Sequence, residues 1–429
     1  MNRRMGTRLG SAPRSISFRL ESTPWYLRAH YILGRMDFTL PEEHRMMRES
    51  GRDFCEAEIA PIAQDIEDEH RFPAEVFDAL AGLDVMGVPV AEEWGGLGGD
   101  QLLYALVTEE LGRVSGSIGL SYAAHVSLAS KPIELFGTDE QRERWLRPLA
   151  EGEYLGAWAL TEPGSGSDAS DMDTTAERDG DEWVLDGTKQ FITNANVAGS
   201  VLVKAVTDPD AGYDGVSTFI VSPDDEGWEV TTEWEKMGLN ASPTCELQFT
   251  NCRVPADRLL GEEGEGWDQT LKTLNGGRIS IAALSVGLAQ GAFEAAREYA
   301  TEREQFGKPI SKFDAVRDKL VEMDRKIERA RLLTHKAATM YDAGADSAGP
   351  KGQRGGGEAA SLTRMSSLAK LDASEVSREV AEDAVQVLGG YGYTEDFSPQ
   401  RFYRDAKLME IGEGTSEIQH LILGRELGL

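Results

Sequence analysis

The spacing of apolar residues changes twice along the chain, and these two changes constrain the fold more than any other feature. From about residue 40 to residue 153 apolar side chains recur at helical spacing. From about residue 154 to residue 255 short apolar runs are separated by turn-forming residues, which is typical of strands. Long helical stripes then return, so the sequence predicts an α+β fold.

Domain boundaries follow from these changes. We predict an N-terminal helical domain over residues 36–153 and a middle β domain of sandwich or barrel type over residues 154–255. Residues 256–429 are predicted to form a C-terminal four-helix bundle, because two apolar stripes run through them. The first stripe is Ile281, Leu284, Leu288, Ala292 and Ala295, and the second is Val316, Leu320, Met323, Ile327 and Ala330.

Local patterns predict individual caps, turns and loops. Thr138 and Gln141 stand at the spacing of a capping box, which predicts the start of a helix. Asp186-Gly187 between two apolar runs predicts a β-hairpin with a two-residue turn. Residues 344–357 are rich in glycine and cannot bury an apolar face, so they predict a mobile loop between two helices of the bundle.

The first 35 residues differ in composition from the rest of the chain. Seven arginines stand against a single acid, Glu21. An arginine-rich, acid-poor start is compatible with a transit peptide, whereas the apolar run of a signal peptide is missing. The acidic pattern begins abruptly at Met36, which favours Met36 as the natural start. We therefore expect residues 1–35 to be a poorly ordered or non-native lead.

The net charge of −30 limits the partners of the protein. A protein that binds phosphate backbones needs a basic face, so we predict no nucleic acid partner. Acid spread along the whole chain is typical of the solvated surface of a halophilic-type protein in a high-salt cytoplasm. No apolar run approaches the roughly 18 to 20 residues of a membrane span. Three cysteines and six scattered histidines lack the spacing of a metal site, so no metal is expected.

The segment from Ile411 to Gln419 places one carboxylate, Glu413, between two glycines and beside a hydroxyl. Glycines allow a sharp turn and a close approach to a ligand, which makes Glu413 a candidate general base. The same residues also read as an ordinary helix start with Thr415 as the N-cap. From this segment alone, the helix start is the more common explanation.

Five motifs together resemble the acyl-CoA dehydrogenase family, in family order, from about Met36 to the end of the chain. They are Trp158 to Asp168, Phe191 to Asn194, Arg303 to Lys308, Gln386 to Gly390 and Ile411 to Gln419. The resemblance is to the short- or branched-chain-like branch. It implies FAD as cofactor, an acyl-CoA substrate, an electron-transferring flavoprotein as electron acceptor, and a homo-oligomer that is usually a tetramer. It also implies a role in fatty acid or branched-chain amino acid breakdown.

The same resemblance assigns roles to individual residues. Glu413 becomes the catalytic base. The implied FAD contacts are Trp158, Ala159, Leu160, Thr161, Phe191, Ile192, Thr193, Arg303, Phe306, Phe313, Gln386, Val387, Leu388, Gly389, Gly390, Thr415 and Glu417. Arg303, Phe306 and the Gln386 to Gly390 segment are expected to reach the FAD of a neighbouring subunit. The implied substrate contacts are Ser167, Asn275, Arg278 and Gly414.

Three positions depart from the family pattern, and the first is Asn275, where the family often has aspartate. Phe191 replaces the more usual tryptophan but keeps an aromatic face for stacking. Asp314 stands where glutamine is common, and an anion there is unfavourable near phosphate unless it is turned away or screened. In some branches the base comes from the position that matches Gly277, and glycine has no carboxylate. Glu413 therefore has no rival for the role of base.

The resemblance implies α,β-dehydrogenation of an acyl-CoA thioester, in which Glu413 takes the α-proton and the flavin takes the β-hydride. An acyl-CoA oxidase of the same fold remains an alternative, and hydrogen peroxide formed without an added acceptor would identify it. A flavin monooxygenase on this scaffold is a second alternative, although the retained Glu413 argues against it. A non-catalytic helical protein that binds acyl-CoA or a partner is a third, and a colourless purified protein would favour it.

Overall fold

The structure is a computed structural model that describes residues 38–344 and 361–429. The predicted lead over residues 1–35 lies outside the described residues, as does the predicted glycine-rich loop apart from Gly344. All the elements below belong to one structural unit, Glu42–Leu429.

Helices and short π-helical turns make up residues 42–151. The helices are α1 (Glu42–Phe54), α2 (Ala63–Asp68), α3 (Ala74–Ala81), α4 (Gln101–Val114), α5 (Gly116–Ala123), α6 (Lys131–Phe136), α7 (Asp139–Gln141) and α8 (Arg147–Glu151). Their starts follow local chemistry. The Asp100 carboxylate accepts the Leu103 N–H at 2.7 Å and caps α4. The predicted capping box is confirmed, because Thr138 and Gln141 bond reciprocally at the start of α7.

A seven-stranded sheet forms the middle of the chain. Its strands are β1 (Leu155–Ala159), β2 (Thr175–Asp179), β3 (Glu182–Thr193), β4 (Ala198–Val206), β5 (Val216–Val221), β6 (Trp228–Glu233) and β7 (Thr244–Pro255). The strand order is β1-β4-β2-β3-β7-β6, and β5 also pairs with β4, off this path. β1 and β4 are parallel, whereas β3 pairs antiparallel with both β2 and β7. A buried core that includes Trp183 and Phe219 holds the sheet together.

The prediction of a hairpin turn at Asp186-Gly187 was wrong. Both residues lie within the continuous strand β3, where the register against β7 shifts between Leu185 and Gly187. Gly187 adopts a φ of +149°, and an added Cβ would lie 2.4 Å from the Thr174 hydroxyl oxygen. The glycine therefore serves a β-bulge and a close backbone approach. The β2–β3 turn instead contains Gly180 at a φ of +66°.

Three long helices and two shorter ones complete the described chain. They are α9 (Gly266–Glu302), α10 (Asp314–Asp342), α11 (Leu362–Leu388), α12 (Pro399–Met409) and α13 (Ser416–Glu426), and a small hairpin of β8 (Glu304–Gln305) and β9 (Lys308–Pro309) lies between α9 and α10. The predicted stripes are largely buried in one core, which includes Leu284 and Leu288 of α9 and Met323 and Ile327 of α10. This agrees with a C-terminal helical domain, so the predicted fold class is confirmed.

Helix α9 also packs closely against α4 of the N-terminal helices. A Cβ on Gly287 would lie 2.2 Å from the Glu109 carbonyl oxygen, and a Cβ on Gly291 would lie 2.1 Å from that of Arg113. Only glycine allows the two backbones to approach this far. The middle of α9 is thereby fixed against α4, two to four turns along the helix from the predicted site residues Asn275 and Arg278.

By length and composition α9 could cross a membrane, and it is the one such helix in residues 38–344 and 361–429. Most of its apolar part, 83%, is buried inside the protein. This burial is typical of a core helix in a large helical bundle, so we interpret α9 as the central helix of the C-terminal domain.

Candidate active site

A tight turn between α12 and α13 carries Glu413. Glu413 adopts a left-handed φ of +51°, and Gly414 follows at +91°. Such a conformation is unfavourable for a residue with a side chain, and such residues cluster at functional sites. Thr415 caps α13 by accepting the Ile418 N–H at 3.4 Å, while Glu417 in the first turn of α13 is exposed. The segment is therefore both a helix start and a strained turn that presents a carboxylate.

The carboxylate of Glu413 points at Gly277 on α9. The residue as a whole is half-buried, but its Oε2 is buried and has no hydrogen-bond partner among the described residues. A Cβ on Gly277 would lie 2.0 Å from Oε2. The glycine at position 277 thus leaves room for the Glu413 carboxylate in this orientation. Burial raises the pKa of Glu413 to about 7, although the charges of Lys370 and Arg278 act in the opposite direction.

Two buried cations lie near this carboxylate. Arg278 follows Gly277 on α9 and donates to the Asn275 Oδ1 at 3.0 Å, so two predicted substrate contacts are in direct contact with each other. Burial lowers the pKa of Arg278 to about 10, while the charge of Glu413 raises it. The second cation, Lys370, donates to the carbonyl oxygen of Gly414 at 2.7 Å. Sequence reasoning missed Lys370, although its place on the small-residue face of α11, between Ala369 and Ala373, is a detectable signal.

A narrow crevice of about 280 Å³ opens beside Gly277. Its lining includes Tyr104 of α4, Ser127, and Thr273 and Gly276 of α9. The buried Tyr104 hydroxyl donates to the Ala123 carbonyl at 3.0 Å, and desolvation holds the pKa of Tyr104 well above its usual range. Tyr104 therefore stays neutral at ordinary pH. Sequence reasoning did not identify these lining residues, because they come from elements far apart in the chain.

The predicted flavin loop follows β1. Trp158 and Ala159 end this strand, and Leu160 and Thr161 continue from it. Ala159 and Leu160 are buried, so only their backbones can reach a ligand, whereas Ser167 further along the loop is exposed. The buried indole Nε1 of Trp158 has no acceptor within the described ranges. An unpartnered buried donor of this kind fits the polar edge of a bound ring system.

A buried ion pair anchors this loop. The Lys189 ammonium lies 2.7 Å from Glu162 Oε1 and also donates to the Leu160 carbonyl at 3.2 Å. The Glu162 carboxylate in turn accepts the backbone N–H groups of Asp173 and Thr174 at 2.5 and 3.0 Å. Desolvation lowers the pKa of Lys189 to about 8, against the attraction of Glu162. The pair connects both ends of the loop to β3, and the sequence analysis did not anticipate it.

Residues Phe191 to Thr193 end β3 beside an irregularity in its pairing with β7. Phe191 has a left-handed φ of +61° and is 57% exposed, with its ring centroid 5.6 Å from that of Trp234. Ile192 faces the core of the sheet, while Thr193 is half-buried. The bulge therefore presents the aromatic ring on the outside of the sheet, where it can stack on a ligand.

A second group of predicted residues lies at the other end of the C-terminal domain. Arg303, Val387, Leu388 and Gly390 line one open groove of about 890 Å³. Gln386 and Gly389 adjoin it and are exposed.

The small hairpin after α9 adds two aromatic residues to this end of the domain. Phe306 is 94% exposed at the hairpin tip, and its ring lies 6.0 Å from that of Phe313. Asp314 is exposed and forms an ion pair with Arg317 at 3.1 Å. Its negative charge is therefore screened, which is one of the two arrangements expected for an anion near a phosphate site.

The N-terminal helices, the sheet of the middle region and the C-terminal helices make a mixed helix and sheet protein in three parts. The chain belongs to the acyl-CoA dehydrogenase family. It matches the family descriptions "Acyl-CoA dehydrogenase, N-terminal domain" over residues 41–153, "middle domain" over 157–252 and "C-terminal domain" over 264–428. Members of this family are FAD flavoproteins of fatty acid and amino acid catabolism and are typically tetrameric. The predicted resemblance, enzyme class and FAD cofactor are thus confirmed.

Three relatives illustrate the similarity. The probable acyl-CoA dehydrogenase YngJ of Bacillus subtilis is 46% identical over 91% of this chain and 100% of its own length. The structure of butyryl-CoA dehydrogenase from Megasphaera elsdenii is 39% identical, with a TM-score of 0.86 over 92% of this chain and 100% of that chain. A chain in a structure of the electron transferring flavoprotein of Acidaminococcus fermentans is 40% identical, with a TM-score of 0.87 over 91% of this chain and 99% of that chain.

Proposed function

We propose that the protein dehydrogenates a short-chain acyl-CoA at Cα–Cβ to the trans-2-enoyl-CoA, with Glu413 as the base that takes the α-proton. One observation carries this proposal. The Glu413 Oε2 is buried, unpartnered within the described residues, and pressed against Gly277 beside a narrow crevice. A carboxylate held in this way has no evident structural task and is free to contact a substrate.

The surroundings of Glu413 suit a base that works near neutral pH. Burial raises its pKa to about 7, which increases its basicity while a large fraction remains ionised at neutral pH. Nearby positive charge from Arg278 and Lys370 prevents a further rise. The α-proton of a thioester is weakly acidic, so a stronger carboxylate base lowers the barrier to its removal.

The backbone of Glu413 supplies a second function. Its N–H donates to no group in the described part of the chain, although it belongs to a half-buried turn. Negative charge develops on the thioester oxygen as the α-proton leaves, and a free N–H beside it would stabilise that charge. One such donor is typically worth about 3 to 4 kcal/mol in the transition state.

FAD, when bound, supplies the acceptor for the β-hydride, which no amino acid side chain can provide. Trp158, Thr161, Phe191 and Thr193 are the residues that would hold its ring. The unpartnered Trp158 Nε1 and the outward Phe191 ring fit a planar polar ligand.

The groove around Arg303 and Gly390 would hold the adenylate end of an FAD from a second copy, where the Arg303 guanidinium would pair with phosphate. We therefore infer a homo-oligomer, most simply the tetramer typical of the family.

Two further features are part of the proposal. Electrons pass to an electron-transferring flavoprotein, which is supported by the structural similarity to a chain in such a structure. The protein is cytoplasmic, in agreement with the free buried thiols of Cys55, Cys245 and Cys252. A short acyl chain as the substrate is supported by the similarity to a butyryl-CoA dehydrogenase.

A substrate panel tests this function. Purified holoprotein is mixed anaerobically with straight acyl-CoAs of increasing length, flavin bleaching is followed, and the product is identified by mass. We expect the fastest bleaching with butyryl-CoA and a product two hydrogens lighter than the substrate. Bleaching by long chains in preference to short ones would contradict the substrate assignment. A yellow protein that no acyl-CoA bleaches would contradict the reaction itself.

A further inference from the structure

A buried lysine next to the Glu413 turn is bonded to the backbone of that turn. Lys370 lies on α11 and its side chain is fully buried. Among the described residues its ammonium forms no direct ion pair with a carboxylate, and it donates a hydrogen bond to the Gly414 carbonyl oxygen at 2.7 Å. Burial of a charged amine away from a direct counter-ion is unfavourable and lowers the pKa of Lys370 to about 8. Because burial of the amine costs free energy, we expect the Lys370 side chain to serve a specific purpose in the folded protein.

Lys370 helps to fix the backbone of the turn. The Gly414 carbonyl accepts a second bond from Gln419 Nε2 at 3.0 Å, and the same amide group lies 3.3 Å from the Glu413 carbonyl oxygen. Two donors from two different helices therefore hold the peptide between Gly414 and Thr415, one residue after Glu413. The left-handed φ of Glu413 needs such support, because an unrestrained residue would relax to a more favourable conformation.

Lys370 also acts on the carboxylate through its charge. Glu413 faces Lys370 of α11, Arg278 of α9 and the hydroxyl of Tyr104 of α4. Lys370 is the largest cationic influence on Glu413, followed by Arg278. Lys370 itself faces Glu413, Arg278, Glu410 and Glu417. Lys370 thus both holds the turn by a hydrogen bond and favours the ionised form of the base.

We propose that Lys370 is a positioning residue for the dehydrogenation, which holds the Gly414 carbonyl and so aims the ionised Glu413 carboxylate at the crevice. This inference rests on the proposed function of Glu413 as the base. It differs from a packing role, because a lysine that only fills space would not influence the protonation of Glu413.

The test compares Lys370→Met, Lys370→Gln and Lys370→Arg in the holoprotein. The pH dependence of kcat/KM with butyryl-CoA is measured for each, because this profile reports the pKa of the base in the free enzyme. Loss of the positive charge favours the protonated carboxylate. We therefore expect the acidic limb of the profile to move about 1 pH unit upward in Lys370→Met and Lys370→Gln. Lys370→Arg keeps the charge, so its limb is expected to stay close to that of the original protein.

The rate separates the two effects of the lysine. At a pH where Glu413 is fully ionised, Lys370→Met still lacks the bond to Gly414, and we expect kcat to fall at least about 10-fold through the misplaced base. Lys370→Gln keeps a donor and is expected to lose less. The control is Lys326→Met, which removes a lysine of α10 that pairs with Glu379 of α11 at 2.7 Å. Its pH profile and kcat are expected to be unchanged.

An acidic limb that stays in place in folded Lys370→Met or Lys370→Gln would overturn the inference. Because these are independent variants, one that fails to fold leaves the other as the test. Glu413→Gln, measured in the same series, separates this inference from the proposed function. An active Glu413→Gln would refute Glu413 as the base, whereas an inactive Glu413→Gln beside an unaltered Lys370→Met would refute only the role of Lys370.

Discussion

Replacement of Gly277 by alanine is a small change that reaches the proposed base directly. The added Cβ would lie 2.0 Å from Oε2 of Glu413 and 2.9 Å from its Cδ, and 3.1 Å from Leu128 Cδ2. Ordinary contact begins at 3.4 Å, so the carboxylate has to retreat by more than about 1 Å. A misplacement of about 1 Å costs on the order of 100-fold in rate, or about 2.7 kcal/mol of transition-state stabilisation. We expect kcat for butyryl-CoA to fall by about this factor.

The same variant should remain well folded. Glu413 Oε2 is the far end of a flexible side chain, so rotation relieves the clash, and alanine favours the α9 helix by up to about 1 kcal/mol over glycine. Stopped-flow bleaching of the flavin measures the rate, and a thermal melt measures stability. Gly51→Ala in α1 is the matched control, because nothing lies within 4 Å of its added Cβ. A Gly277→Ala protein that bleaches at the original rate would refute the placement of the carboxylate.

Three further predictions concern pH, the flavin loop and the distant groove. The value of kcat/KM should rise with pH through about 7, because Glu413 accepts a proton only when ionised, and a profile that is flat across this range contradicts the assignment. Lys189→Met leaves the Glu162 carboxylate buried without its counter-ion. We expect the free energy of unfolding, measured by denaturant titration, to fall by about 3 to 5 kcal/mol and the FAD content to fall as well. Lys336→Met, at an exposed position, should change neither quantity. Arg303→Ala should speed FAD dissociation, and an unchanged FAD off-rate would argue against the groove as a cofactor site.

Local chemistry explains what the sequence predicted well. The Glu413 turn was predictable because glycines and a hydroxyl act on their immediate neighbours, and the N-cap at Thr415 needs only residues within one helical turn. The capping box of α7 was predictable for the same reason. Stripes such as Ile281 to Ala292 were predictable because a helix buries one face wherever its partner lies.

Long-range pairing explains what the sequence could not predict. Asp186-Gly187 has the composition of a hairpin turn, but pairing of β3 with β7 keeps the strand continuous and turns the glycine into a bulge. The burial of Lys370 depends on α11 meeting the turn after α12, which lies far along the chain. The ion pair of Glu162 and Lys189 likewise joins a loop to a strand that only the folded sheet brings together. Such contacts are set by tertiary structure and have no local signature.

The bleaching of Glu413→Gln by butyryl-CoA tests the central claim most directly. Glutamine keeps the size and backbone of the turn but cannot accept the α-proton. We expect the variant to retain FAD and to bind butyryl-CoA, while anaerobic flavin bleaching falls by about 100-fold or more. Glu382→Gln, an exposed acid on α11, is the control and should bleach normally. Bleaching of Glu413→Gln at nearly the original rate, with FAD and substrate bound, would contradict the assignment of Glu413 as the base.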